Sequence, residues 1–246
     1  MRLHRFYVSQ KIGDQSQVTI DSAELVNQVR RVFRLKEGDS IVIFNGTGFD
    51  YVCKIDSFEK DTKISNDSAM KLTVTETKPS RFLPTRKIYL CAAVVKKDTF
   101  EWIVEKATEL GVTDIIPIAA ERSEKKSLNE ERLKKIAVEA SEQSGRGTTP
   151  MVHGIMGQGD AAAFLKKENK DIELLAFHTE GELLKRGEFA DTKTPLGVFI
   201  GPEGGWSSEE MEMFHKENIQ VRCLGPQVLR AETAVVASLA QVVFTI

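Results

Sequence analysis

Only three cysteines occur in the 246 residues, and Cys53, Cys91 and Cys223 lie far apart in apolar, strand-like runs. That spacing excludes a disulfide framework or a thiolate metal cluster, and buried thiols are expected instead. No metal site is expected. No apolar run approaches the ~18 residues that cross a bilayer, so no membrane partner is expected. The start, Met1-Arg-Leu-His-Arg-Phe-Tyr7, lacks the apolar stretch of a secretion signal, and a cytoplasmic protein is expected. Internal repeats and low-complexity tails are absent. A net charge of −2 is too small for a protein that coats nucleic acid indiscriminately, since such proteins are usually basic.

What charge there is, is uneven. Arg2, His4, Arg5, Arg30, Arg31, Arg34 and Lys36 all fall near the N-terminus. A local basic face of this kind binds RNA on an otherwise neutral protein. Ordinary solvated charges would look the same.

The first ~75 residues read mostly as β structure. Phe6-Tyr-Val and Val18-Thr-Ile are short strands. Asp21-Ser-Ala-Glu24 has the capping-box pattern and opens one short helix to about Val32. Ser40-Ile-Val-Ile-Phe, the turn Asn45-Gly-Thr-Gly48 and Phe49–Ile55 form a hairpin. Lys71–Glu76 alternates apolar and polar residues, as a half-exposed strand does. Several short strands in so short a span point to a small barrel over residues 1–76. Lys78–Thr85, with two prolines, reads as a linker.

From there to residue 246, strands and helices alternate. Lys87–Val95, Asp114–Ala119, Glu173–Phe177, Leu196–Ile200 and Ile219–Cys223 are apolar strands. Asp98 with Glu101, and Ser127 with Glu130, are the expected caps of two helices. Two more helices are expected at about Ser207–Glu217 and Glu232–Phe244. This is the α/β pattern of a parallel sheet covered on both faces. Ligands of such sheets sit beyond the carboxyl ends of the strands. That rule selects the loops Ala119–Lys125, His178–Gly181, Gly201–Trp206 and Leu224–Ala231.

The loop in Ile200-Gly-Pro-Glu-Gly-Gly-Trp-Ser-Ser-Glu-Glu210 resembles a phosphate loop only superficially. It lacks the lysine of Gly-x-x-x-x-Gly-Lys-Ser/Thr and the spacing of Gly-x-Gly-x-x-Gly. Glu203 would oppose a phosphate by roughly 4 kcal/mol at ~4 Å and an effective dielectric of about 20. A neutral or cationic ligand fits, held close to backbone because glycine has no side chain. Ser207 with Glu209 and Glu210 suits a helix start. In Leu224-Gly-Pro-Gln-Val-Leu-Arg-Ala-Glu-Thr-Ala234, apolar residues in a Gly-Pro loop offer what an adenine pocket needs.

Together, Ile200–Gly205 and Leu224–Ala234 resemble the cofactor motifs of SPOUT (α/β-knot) methyltransferases, and more closely the branch that methylates N3 of a uridine in 16S ribosomal RNA. Lys106–Val112, Glu121-Arg-Ser123, Glu142-Gln-Ser-Gly-Arg146 and Arg31-Val-Phe-Arg34 are similar to further motifs of that branch, and the likeness covers essentially the whole chain. One position departs: the histidine usual before the last motif is Gln28 here. The resemblance implies a PUA-like β-barrel over 1–76, and over 77–246 a Rossmann-like sheet whose chain end threads a deep trefoil knot. It implies a homodimer, S-adenosylmethionine as cofactor, and 16S ribosomal RNA or the small ribosomal subunit as partner.

On this reading His178, Thr179, Ile200, Gly201, Glu203, Gly205, Leu224, Gly225, Val228, Leu229, Arg230, Glu232, Thr233 and Ala234 line the cofactor site. Uridine N3 carries a proton and is a poor nucleophile until it leaves, so a base or stabilising cations are needed. Arg146 and Arg122 are the expected cations and Glu142 the expected base or arginine orienter. Arg230 is a catalytic cation or a phosphate clamp. Arg5, Arg30, Arg31 and Arg34 are the expected RNA contacts. The same chemistry on another RNA or base, and an RNA-binding knot protein without activity, are the alternatives.

Overall fold

The computed structural model describes residues 3–60, 67–123, 127–189 and 193–243. Arg2, Lys125 and the helix end expected at Phe244 lie outside them. The chain divides into two compact units. One comprises Met1–Leu83 together with Ser141–Thr148, the other Pro84–Ala140 and Thr149–Ile246. The break at 83/84 lies beyond the expected boundary at 76, because the strand expected to end at Glu76 continues to Pro79. Lys78 and Pro79, the first two of the eight residues of the expected linker, are therefore strand.

The first unit is a five-stranded sheet: β1 (Arg5–Tyr7), β2 (Gln17–Ile20), β3 (Ser40–Phe44), β4 (Phe49–Lys60) and β5 (Asp67–Pro79), in the order β1-β3-β4-β5-β2. Among the described residues of this unit only β1 and β3 pair in parallel. The β3–β4 turn is held by Asn45, whose Oδ1 accepts from the Thr47 hydroxyl at 2.6 Å, as Asx turns do. Phe6, Val29, Ile41, Ile43, Ile55 and Leu72 fill the core. Helix α1 (Ala23–Asn27) passes into a π-helical turn over Gln28–Val32. Its N-cap is Ser22, not the expected Asp21, with Ser22 Oγ accepting from the Leu25 N–H.

The second unit is a parallel six-stranded sheet: β6 (Ile88–Ala93), β7 (Asp114–Ile118), β8 (Met151–Val152), β9 (Glu173–Leu183), β10 (Leu196–Ile200) and β11 (Gln220–Cys223), in the order β11-β9-β10-β6-β7-β8. Strand β6 shows why helices must cover both faces. Ile88, Leu90 and Ala92 enter one core, with α2 (Lys97–Glu109), α3 (Glu130–Ser144) and α6 (Ala231–Val243). Tyr89, Cys91 and Ala93 enter the other, with α4 (Gln158–Glu168) and α5 (Ser208–Lys216). Strands buried on both faces read as continuous apolar runs, as these do.

Two expected caps shift. Lys96, not Asp98, is the N-cap of α2, with no side-chain bond. Asn129, not Ser127, serves α3, its Oδ1 accepting from the Arg132 N–H at 3.0 Å. The sequence reading missed β8 and α4. For α4 a signal existed, since buried Gln158, Ala161, Ala162 and Leu165 keep helical spacing, but its N-cap, Gly157, makes no side-chain bond. Among the described residues no helix is long and apolar enough to cross a membrane.

Candidate functional site

Three strand ends of the second unit converge on one cavity of about 210 Å³. Its first wall comes from β9. Strand β11 pairs Val221 with Ala176 and then Arg222 with Glu182, so Phe177–Gly181 bulge from the pairing. Phe177, His178 and Thr179 line the cavity from this bulge. The crossing is tight. A Cβ at Gly181 would stand 2.6–2.8 Å from the Arg222 backbone, which no side chain tolerates. Arg222 also grips Glu188 through Nε at 3.2 Å and Nη2 at 2.9 Å.

The second wall is the glycine-rich loop after β10. Ile200, Gly201, Glu203, Gly204, Gly205 and Trp206 line the cavity. Gly205 N–H donates to Pro202 O at 2.8 Å and closes a turn with Glu203 and Gly204 at its tip. Gly205 has φ +70°, a conformation glycine adopts without strain. Trp206 is buried and donates from Nε1 to Phe177 O at 3.2 Å, tying the second wall to the first. The loop passes so close over this ring that a Cβ at Gly201 would stand 3.2 Å from it. Ser207 and Glu210 then make a full capping box for α5, which accounts for the serines and acids after the glycines.

The third wall is the loop between β11 and α6, contributing Leu224, Gly225, Gln227, Val228 and Leu229, with Ala231 and Ala234 at the start of α6. Cys223, expected to be buried, is partly exposed and lines the cavity. Cys53 and Cys91 are buried, and burial pushes the Cys53 thiol up to about 12. The lining thus includes every expected cofactor residue except Arg230, Glu232 and Thr233. Arg230 and Thr233 are exposed and Glu232 partly so, on the first turn of α6 and just before it. Pro202, Gly204, Trp206, Gln227 and Ala231, within the loops selected by the strand-end rule but not singled out there, also line the cavity, and so do Phe177 and Cys223, just outside those loops. Each except Phe177 lies inside or beside a quoted motif, and Phe177 only precedes one.

No lysine or arginine lines the cavity among the described residues, and Glu203 is its one carboxylate. Such a lining suits a neutral or cationic ligand. At about 210 Å³ the cavity is smaller than the ~300–1,000 Å³ of enclosing ligand clefts.

The expected catalytic residues separate. Arg122 is on the loop after β7, and its Nη1 donates to Gly204 O at 2.7 Å. Beside it, Glu121 N–H donates to Glu210 Oε1 at 3.0 Å. The loop after β7 therefore braces the glycine loop and holds Arg122 beside the cavity-lining Gly204. Glu142 and Arg146 belong to the first unit. Glu142 Oε1 accepts from the Tyr7 N–H at 2.8 Å. Arg146 is buried, and burial pushes its guanidinium down to about 10, still charged at neutral pH.

Arg5 is not an open RNA contact. It pairs with Asp50 at 2.6 Å, donates to Ser141 O and lies 3.9 Å from the Phe44 ring centre. Arg30, Arg31 and Arg34 are exposed. Arg30 lies over the Phe58 ring at 4.9 Å. Arg34 holds φ +57°, a left-handed conformation that is costly for a non-glycine residue.

Comparison with known proteins places these features. The sequence profile described as an RNA methyltransferase domain matches residues 82–243, and that of an RNA methyltransferase PUA domain matches residues 29–64. The chain is 31% identical over 244 residues to ribosomal RNA small subunit methyltransferase E of Rickettsia conorii, covering 98% of this chain and 96% of that protein. It is 32% identical over 251 residues to the protein of the same name from Bacillus subtilis, covering 94% and 93%. The crystal structure of the Neisseria gonorrhoeae protein of that name, bound to S-adenosyl methionine, superposes with a TM-score of 0.83 at 25% identity, covering 97% of this chain and 96% of that one.

Proposed function

The chain belongs to the RNA methyltransferase family, and from that premise we propose that it transfers a methyl group from S-adenosylmethionine to N3 of one uridine in 16S ribosomal RNA. The observation that carries the reading is the three-walled cavity at the ends of β9, β10 and β11, with glycine where backbone must approach closely and, among the described residues, no lysine or arginine in its lining. That lining fits a ligand bearing a sulfonium cation and no phosphate. Leu224–Leu229 would hold the adenine, Gly201 and Gly205 would let the ligand lie against backbone, and His178 and Thr179 would wall the ribose.

When bound, S-adenosylmethionine supplies an electrophilic methyl group. The protein's own task is to make uridine N3 nucleophilic. The N3 proton must leave, and a nearby cation stabilises the resulting imide anion. Arg146 and Arg230 are our candidates for that cation, because the Arg122 guanidinium is engaged on Gly204 O. The target base must be unstacked to be reached. Arg30, Arg31 and Arg34 would contact RNA phosphates and set the register.

We read the first unit as a PUA-like barrel and the second as knotted towards its C-terminal end, a reading supported by the match of residues 82–243 to the RNA methyltransferase domain. Partly exposed Ala234, Val236, Ala237 and Ala240 on α6 support a homodimer formed through small side chains. The enzyme would act in the cytoplasm, where ribosomes are assembled.

The test is nucleoside mapping of small-subunit RNA from a strain lacking the gene. One N3-methyluridine should disappear and return on complementation. Unchanged RNA overturns the reading. Loss of a different modified nucleoside overturns the assignment to uridine N3.

A further inference from the structure

We infer that Glu203 sets the preference of this pocket for a cationic sulfonium over the neutral thioether left after methyl transfer, an inference that rests on the cofactor reading above. Glu203 stands at the tip of the turn closed by Gly205 N–H on Pro202 O at 2.8 Å. It lines the cavity and has no hydrogen-bond or ion-pair partner among the described residues. The adjoining residue is engaged differently. Gly204 O takes the Arg122 guanidinium at 2.7 Å, so this cation is drawn to a carbonyl and leaves the neighbouring carboxylate unpaired. Among the described residues no lysine or arginine lines the cavity.

The charge balance of the reaction gives this carboxylate a role. The methyl group leaves sulfur for nitrogen without the S–C bonding electrons, which stay on sulfur. The ligand thereby changes from net +1 to net zero, and the nitrogen's proton is released. A fixed negative charge beside the ligand thus attracts the substrate form and is indifferent to the product form. Because Glu203 is exposed, its field is weakened by water and salt. Discrimination of about three- to tenfold between the two forms follows, rather than a large factor. Its direction helps the product leave.

The experiment is calorimetric titration of the full chain with S-adenosylmethionine and, separately, S-adenosylhomocysteine. Wild type, Glu203→Gln, Glu203→Asp and Glu212→Gln are compared at about 0.05 M and 0.5 M salt. Glu203→Gln should weaken the cationic ligand about three- to tenfold and leave the neutral one within about twofold. Glu203→Asp, which keeps the charge, should retain most of the selectivity. Glu212→Gln, on an exposed position of α5, makes the same net-charge change and should alter neither. High salt should shrink the wild-type selectivity and leave that of Glu203→Gln unmoved. Equal weakening of both ligands by Glu203→Gln would make Glu203 a brace of the turn and overturn the inference while sparing the cofactor reading. Failure of wild type to bind either ligand would overturn both.

Discussion

Arg122 Nη1 donates to Gly204 O at 2.7 Å, across 82 residues of sequence, and so joins the loop after β7 to the glycine-rich wall of the pocket. The guanidinium is exposed, but its aliphatic stem packs on Gly204, where a Cβ would approach within 3.3 Å. We propose on this geometry that Arg122 is a positioning residue.

Arg122→Ala should raise the Kd for S-adenosylmethionine about 5- to 20-fold, in line with the ~1–2 kcal/mol lost with a charge-assisted, partly exposed hydrogen bond. Turnover at saturating cofactor should change by less than about threefold. Separate measurement of cofactor Kd and kcat checks this. A large fall in kcat with unchanged Kd would return Arg122 to the chemistry itself.

Two glycines should respond in opposite directions to alanine. Gly181→Ala places a Cβ within 2.6–2.8 Å of Arg222 backbone. It should cost at least about 2–3 kcal/mol, as overpacking against an immovable wall does, and lower Tm by several degrees. Gly159→Ala lies in α4 with nothing within 4 Å and should stabilise by about 0.4–1 kcal/mol. Thermal and urea unfolding of both variants decide it.

The arginines of the first unit should separate by role. Arg5→Ala leaves Asp50, whose side chain is only 13% exposed, without its cation. It should destabilise by about 2–4 kcal/mol, as breaking a largely buried pair does. Arg34→Gln should leave Tm nearly unchanged but weaken RNA binding and reduce the salt-dependence slope by about one. RNA titrations over a salt series, paired with melting curves, distinguish the two.

Cys53 gives a pH signature. Its thiol is raised from 9.0 to about 12 by burial, with Asp56 adding to the shift. A raised folded pKa means that the unfolded chain gives up the proton first. The stability is fully present below pH 9 and is lost as pH climbs from about 9 toward 12, by up to ~1.4 kcal/mol per pH unit. Cys53→Ala should flatten this alkaline fall in urea midpoints, at the cost of a lower plateau.

Much of this architecture was legible from local pattern. The apolar runs of β6, β7, β10 and β11, the capping box at Ser207 and Glu210, and the loops at the strand ends depend on neighbours in sequence. What escaped depends on partners remote in sequence. Met151–Val152 is too short to announce itself and is a strand only because β7 pairs with it. Strand β9 continues past Phe177 because β11 resumes pairing at Glu182, which turns an expected loop into a bulge. Residues 141–148 join the first unit through contacts such as Gly147 N–H to Phe82 O at 3.0 Å, and no linear division of the chain allows for that.

The site divides along the same line. Residue type and order in Gly201–Gly205 and Leu224–Ala234 determined that backbone is open to close approach there and that the loop offers a carboxylate and no lysine. Those properties come from missing side chains and from the sign of one charge, both local. The roles of the charged side chains were decided only by the tertiary structure. Arg5, Arg122 and Glu142 look alike in sequence as exposed functional groups, yet each is engaged: by Asp50, by Gly204 O and by the Tyr7 N–H. A long polar side chain reaches several ångströms in many directions, so its role is set by which donor or acceptor the fold brings within about 3 Å.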